Sequence, residues 1–321
     1  MTEVEKAGDN SSMVSSLYHF PLLYEGDCFY DILARFSEES GYLKSNDVSK
    51  ELFGTHPDLR SAVVLPYKAE LIYTWLGKDS NITMENLRDN HSAWQYLQTN
   101  GEIAEMGFAP MDRDDVRPGR KKLARMASLF QKGVCYLRYC PHCAVVDRLT
   151  VGKPFWHQVH QLYGVKLCPV HGIPLLESGV FLGRRLNVYV PASKVLDDMG
   201  IQEGLRLSAA LAEKAVPFKT QYLSLAKTID RLLKCGLKLG GQGQLFRRYA
   251  LASHRISFPP TGEDFLEAIL SLGGRAFLED LYPNGTCEEE IEAFRKKAQK
   301  SFTPLEHALI ITALGSSFWM G

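Results

Sequence analysis

Apolar positions recur at helical spacing over most of this chain. Phe29, Ile32, Leu33 and Phe36 fall at i, i+3, i+4 and i+7, one stripe of a helix that Gly41 breaks. Ser45 or Asn46 is placed to cap a second short helix holding Val48, Leu52 and Phe53, which Gly54 ends. Met84, Leu87, His91, Trp94 and Leu97 continue the helical period over residues 84–98, and His91 on that stripe reads as a satisfied core histidine. Tyr222, Leu225, Ala226, Ile229, Leu232 and Leu233 form another stripe that Gly236 stops. Shorter helices are predicted around Leu245, Phe246 and Tyr249, over 261–274, over 275–282 and over 288–300. Thr303-Pro304-Leu305-Glu306 is a capping box with proline at the first helical position, and it starts a last helix. Only one region reads differently. VCYLRY before Cys140, VKLC, and IPLLE after His171 are short strand-like runs.

That region carries the clearest chemistry. Cys140-Pro-His-Cys143 and Cys168-Pro-Val-His171 each hold two ligand-type residues two positions apart, with 24 residues between the pairs. Three soft thiolates and one imidazole at this spacing match a tetrahedral structural Zn2+ site. A closed set of four protein ligands leaves no position for water or substrate. His157 and His160 lie between the pairs and read as orienting or packing residues, because the two knuckles already fill a tetrahedron. Trp156 is expected to bury against this small module, which lacks an apolar core of its own. Cys28, Cys135, Cys235 and Cys287 do not repeat the pattern.

The fold class these patterns imply is mainly α with a small zinc-ribbon, with helix-turn-helix-like N-terminal and C-terminal helical parts. Residues 1–16 read as a disordered tail, 17–122 as the N-terminal helical domain, 123–190 as the zinc-ribbon and 191–321 as the C-terminal helical domain. A helix, a glycine-bearing turn and a helix are by themselves weak grounds for DNA binding. The acids around that turn (Glu38, Glu39, Asp47, Glu51) would repel phosphate, so a packing or protein-contact role is expected there.

Charge changes the picture only through its distribution. Lys plus Arg and Asp plus Glu both number 37, so the net charge is zero, without the basic excess of a strong autonomous nucleic-acid binder. Residues 217–260, however, carry eight bases against the single acid Asp230. Arg231, Lys234, Lys238, Arg247, Arg248 and Arg255 are candidates there for contact with a polyanion. A second basic run holds Arg120, Lys121 and Lys122, and it reads equally well as a solvated face. The polar start lacks a signal peptide's pattern, no apolar run approaches the ~20 residues that span a bilayer, and reduced cysteines suit a cytoplasmic protein.

Several of these residues together resemble a known family. The opening FPLLYEGDCFYDILARFSEESGY, then KELFG, then YCPHC and FWHQVHQLYGVKLCPVHGIPLLES, then LEHALIITALG, resemble the TniQ/TnsD family of target-selection proteins of cut-and-paste DNA transposons. The resemblance runs over most of residues 17–180, and Cys-Pro-x-His-Gly is its most specific piece. It implies metal roles for Cys140, Cys143, Cys168 and His171. It also implies an AAA+ ATPase transposition regulator as partner. Long members of the family read target DNA themselves; short members in CRISPR-associated transposons dock on an RNA-guided effector complex. The length of this chain favours the second arrangement. The expectation is a non-enzymatic adaptor linking an RNA-guided CRISPR effector complex, or target DNA, to the ATPase. Two other readings stand beside it. One is an autonomous sequence-specific DNA binder using the helix-turn-helix. The other is a zinc hydrolase, for which Glu177 is the nearest carboxylate after the second knuckle. Whether the chain forms a homodimer is left open by the sequence.

Overall fold

The computed structural model describes residues 20–41, 47–48, 50, 52, 63, 72, 82–100, 135–182, 189–212, 216–237, 242–253, 256–258, 260–282, 287–296 and 302–320. Eleven α-helices and one two-stranded sheet lie among them. The mainly α reading therefore holds. The second helix of the N-terminal turn, with its Ser45 or Asn46 cap, lies outside the described residues apart from Asp47, Val48, Lys50 and Leu52. So do the tail, Arg120, Lys121, Lys122, Lys238 and Arg255.

Helix α1 is Phe29–Glu39, and its predicted stripe is buried. It departs from a simple amphipathic helix, because Tyr30, Asp31, Ala34, Arg35 and Ser37 are buried as well. The polar side is held by an ion network. Arg35 spans Asp31 one turn back, at 2.8 Å, and Asp27 ahead of the helix. Asp27 also meets Nδ1 of His91. The carboxylate of Asp31 accepts from the backbone N–H of Trp156 and of Ala192, both at 3.3 Å. Burial pushes the Asp31 carboxyl up to about 6, with Arg35 pulling the other way. One helix thus fastens segments far apart in sequence.

The predicted single helix over 84–98 is two, α2 (Met84–Asn90) and α3 (Trp94–Leu97). The break has a local cause. Ser92 donates its hydroxyl to the Arg88 carbonyl and accepts from Trp94 N–H, and His91 turns inward to Asp27. His91 is a satisfied core histidine, as its stripe suggests.

Strand β1 (Tyr136–Tyr139) leads into α4 (Pro141–Val151), and β2 (Leu176–Phe181) pairs antiparallel with β1. Then come α5 (Asp198–Ala212), α6 (Lys219–Cys235), α7 (Gln242–Ala252), α8 (Gly262–Leu281), α9 (Cys287–Lys296), α10 (Pro304–Leu314) and α11 (Ser316–Met320). The stripe predicted for α6 is buried from Tyr222 to Leu233. The two runs predicted over 261–282 join in α8 with a kink at Gly273 and Gly274, where Gly274 takes φ +68°. The Thr303 capping box starts α10 as expected. Helices α2 and α3 pack on α6, which packs on α10, so one apolar core runs from α1 to Phe318 of α11. No helix among the described residues is long and apolar enough to cross a membrane.

Candidate metal centre

The two knuckles fold by different local rules. The sequence predicts both on short strands; β1 does lead into Cys140 as expected, but the first knuckle itself opens a helix. Cys140 is extended (φ −107°, ψ 121°) at the N-cap of α4, Pro141 takes the first helical position, and Ala144 N–H bonds the Cys140 carbonyl at 3.1 Å. Proline is pre-set for that position and lacks the N–H the helix start could not use. Cys143 therefore lies in the first turn, where unpaired N–H groups favour a thiolate. The second knuckle is a tight turn. Gly172 N–H bonds the Cys168 carbonyl at 2.8 Å, and His171 N–H points at the Cys168 sulfur at 3.4 Å. Gly172 takes φ +65°, a conformation that glycine adopts without a Cβ penalty. Leu167 bridges Pro174, while β2 begins only at Leu176, three residues later than the predicted IPLLE strand. The β1–β2 register then sets Tyr139 opposite Leu176, which aligns the chain entering the first knuckle with the chain leaving the second.

Nδ1 of His171 lies 3.4 Å from Cys140 Sγ, 3.3 Å from Cys143 Sγ and 3.6 Å from Cys168 Sγ, and Cys143 Sγ is 3.6 Å from Cys168 Sγ. All four donor atoms lie within 4.8 Å of one another. Zn–S bonds of about 2.3 Å and Zn–N bonds of about 2.0 Å set tetrahedral edges of about 3.8 Å between sulfurs and about 3.5 Å from sulfur to nitrogen. The four separations just given fit those edges. Ile173 and Leu175 pack against the three sulfurs and screen them from water.

Without a cation these groups oppose one another. The contact with Cys143 lowers the Cys140 thiol, but the neighbouring Cys168 sulfur and burial push it up to about 12. The Cys143 thiol is raised much further by its contacts with Cys140 and Cys168 and by burial. Cys168 is lowered, by hydrogen bonds from those same two thiols. Three buried sulfurs this close oppose one another's ionisation. A dication is what lets all three ionise together.

The other predicted residues fall into two groups. His157 bonds Asp147 of α4 at 2.9 Å, His160 is buried beside Cys168, and neither joins the four-donor cluster. Trp156 is buried as expected, and its polar links go to the Val190 carbonyl at the end of the ribbon segment and beyond it to Asp31. Glu177 is exposed on β2, opposite Arg138.

On α6, Lys227, Arg231 and Lys234 share one exposed stripe. Arg231 lies 3.9 Å from the ring centroid of Trp319 on α11, and Lys234 pairs with Asp230 at 2.9 Å. Arg247 and Arg248 on α7 approach Phe258 and Phe318 at 5.9 and 5.8 Å. The acids expected to repel phosphate are partly neutralised, since Glu38 meets Lys194 and Glu39 meets Lys153, both at 3.3 Å.

The sequence pattern does not mark Asp27 and Asp31 as buried. The Asp31–Arg35 spacing of four is readable as a helix pair, but Asp27 and His91 are 64 positions apart and no local pattern links them.

Comparison with family models matches residues 19–175 to TniQ. The match spans just under half of the 321 residues and contains all four donors. Comparison with curated proteins finds no match.

Proposed function

The chain carries a TniQ domain, and from that premise we propose that it is a non-enzymatic adaptor for target-site selection in DNA transposition, built around one structural zinc ion. The family match, which encloses the whole four-donor cluster, carries this reading. Zinc is proposed because three sulfurs and an imidazole are soft donors at tetrahedral spacing, which magnesium and calcium do not favour. Cys140, Cys143, Cys168 and His171 would hold it; when bound, it fastens the start of α4 to the turn before β2. Four protein donors leave no open coordination position, so the ion acts as a structural tie and not as a Lewis acid for hydrolysis.

The exposed α6 stripe and Arg247 supply cations for phosphate contact. Among the described residues Lys227 and Arg247 are exposed and form no ion pair. Such contacts position a protein on a duplex without reading bases. The remaining surface is assigned to an AAA+ ATPase regulator and to a target-recognition complex of the RNA-guided CRISPR effector kind.

Two measurements test this. Gel shifts on transposon attachment-site DNA and on random DNA should give equal affinities that fall steeply with salt. Combined K227E and R247E substitution should weaken both equally and reduce the slope of log affinity against log salt by about 2. A clear preference for one sequence would replace the adaptor with an autonomous DNA reader. Failure to co-purify with the ATPase regulator of the same transposon would remove the adaptor role.

A further inference from the structure

Two arginine–aromatic pairs stand at the surface of the C-terminal helices. The first joins α6 to α11. The guanidinium carbon of Arg231 lies 3.9 Å from the centre of the Trp319 ring, well inside the range of about 6 Å over which a cation is drawn to an aromatic face. Phe318, fully buried, meets the Trp319 ring edge-on at 5.1 Å and fixes it from behind. Arg231 itself is exposed, so the stack presents a charged plane to solvent, and Lys227 stands exposed one turn before it on the same helix face.

The second pair joins α7 to the turn before α8. Arg247 approaches the Phe258 ring at 5.9 Å, a looser contact that leaves the phenyl 57% exposed. The turn holding this ring is pinned. Ile256 and Pro260 on either side are buried. The Ser257 hydroxyl donates to the Asp264 carboxylate at 2.6 Å, and the same carboxylate accepts from Thr261 N–H at 2.7 Å in the capping box of α8. A ring held outward by an ordered turn contributes little to the core. The two pairs are linked through α11, because Arg248, next to Arg247, approaches Phe318 at 5.8 Å.

Acids near these pairs are engaged elsewhere. Asp230 pairs with Lys234 at 2.9 Å, and Glu263 pairs with Arg295 at 2.8 Å. Lys227, Arg231 and Arg247 form no ion pair among the described residues. Cations alone suit the phosphates of a duplex. Planar groups set beside them do not, since the base faces of a duplex are covered by their neighbours and only an unpaired strand offers them.

We propose that this face binds single-stranded DNA: Lys227 and Arg247 hold phosphates, one unpaired base stacks on the Arg231 guanidinium backed by Trp319, and another stacks on Phe258. The phosphate contacts rest on the reading proposed above; the stacking and the preference for an unpaired strand go beyond it.

The test uses full-length protein and fluorescence anisotropy with three labelled probes of equal length: a thymidine oligonucleotide of about 20 nucleotides, long enough to cross the face, a DNA duplex, and a uridine RNA. The thymidine strand should bind more tightly than the duplex and at least as tightly as the RNA. F258A removes an exposed ring, and R231K keeps the charge but loses the plane. Each should lower the ratio of single-strand to duplex affinity about 5- to 10-fold, the loss expected for one stacked base. Circular dichroism melts check that both variants fold. Should the wild type bind neither DNA probe, the phosphate reading fails together with this one. Should it bind the duplex as tightly as the single strand, or should both variants keep the wild-type ratio, the stacking site is refuted while the phosphate contacts stand. Tighter binding to the RNA would overturn the assignment to DNA.

Discussion

Two buried polar clusters hold this chain together, and they are completed in opposite ways. Around Asp31 the protein supplies both signs of charge. Two carboxylates share one guanidinium, the His91 ring meets Asp27, and backbone N–H groups from Trp156 and Ala192 fill the remaining oxygen positions. At the knuckles the protein supplies one sign only: three sulfurs and an imidazole converge with no cationic side chain among them. The first cluster is finished by folding. The second has the donors to take an ion from outside, and on the proposed reading the ribbon's stability depends on metal supply in a way that the α1 network does not. The difference lies in geometry as well as charge. The Asp31 network fastens segments more than a hundred residues apart, whereas the four donors join the start of α4 to the turn before β2, about thirty residues on.

The largest expected effect breaks the metal side of this comparison. Cys140→Ser should abolish stoichiometric binding, because structural zinc in a small site contributes on the order of 10 kcal/mol at neutral pH, comparable to the whole stability of a domain. Hydrogen exchange should show β1 and the start of α4 losing protection, while the amides of Trp156 and Ala192, held by Asp31, stay protected longer. Loss of protection at all of these positions together would mean that the two clusters form one cooperative unit.

Breaking the other side comes next. Arg35→Ala strands two buried carboxylates and should cost about 3–5 kcal/mol in denaturant unfolding, with metal content unchanged. A cost under about 1 kcal/mol would show that the network contributes nothing net. A smaller change sharpens the metal side alone. Gly172→Ala leaves every donor in place but forces alanine to φ +65°. The added Cβ meets only the Leu223 side chain, at 3.6 Å, so the backbone carries the cost, about 1–2 kcal/mol. Zinc release should quicken modestly, and an unchanged rate and stability would show the turn adapting freely.

Legibility in the sequence divides along the same line. The metal site is written as two motifs of four residues, so its donors can be named from spacing alone. The α6 stripe, the Thr303 capping box and the Gly273–Gly274 break are local in the same sense, and the structure bears them out. Features that depend on distant partners are hidden. The α1 pattern reads as one-sided because Asp31 and Arg35 look like solvent-facing residues until Asp27, Trp156 and Ala192 are placed around them. Residues 84–98 look like one helix because their apolar period is continuous, while the break comes from a serine hydroxyl and a histidine drawn to Asp27. The first knuckle reads as a strand end because a cysteine pair marks a turn without specifying the element after it. Nothing in the basic run of 217–260 announces that Arg231 lies over Trp319 near the other end of the described chain.

The central claim is that the ribbon closes on one bound zinc ion. The most direct test is native mass spectrometry with elemental analysis on reduced, full-length protein, run beside Cys140→Ser. One zinc per chain in the wild type and none in the variant is the predicted result. A metal-free wild type, or a variant that keeps its full equivalent, would contradict the account.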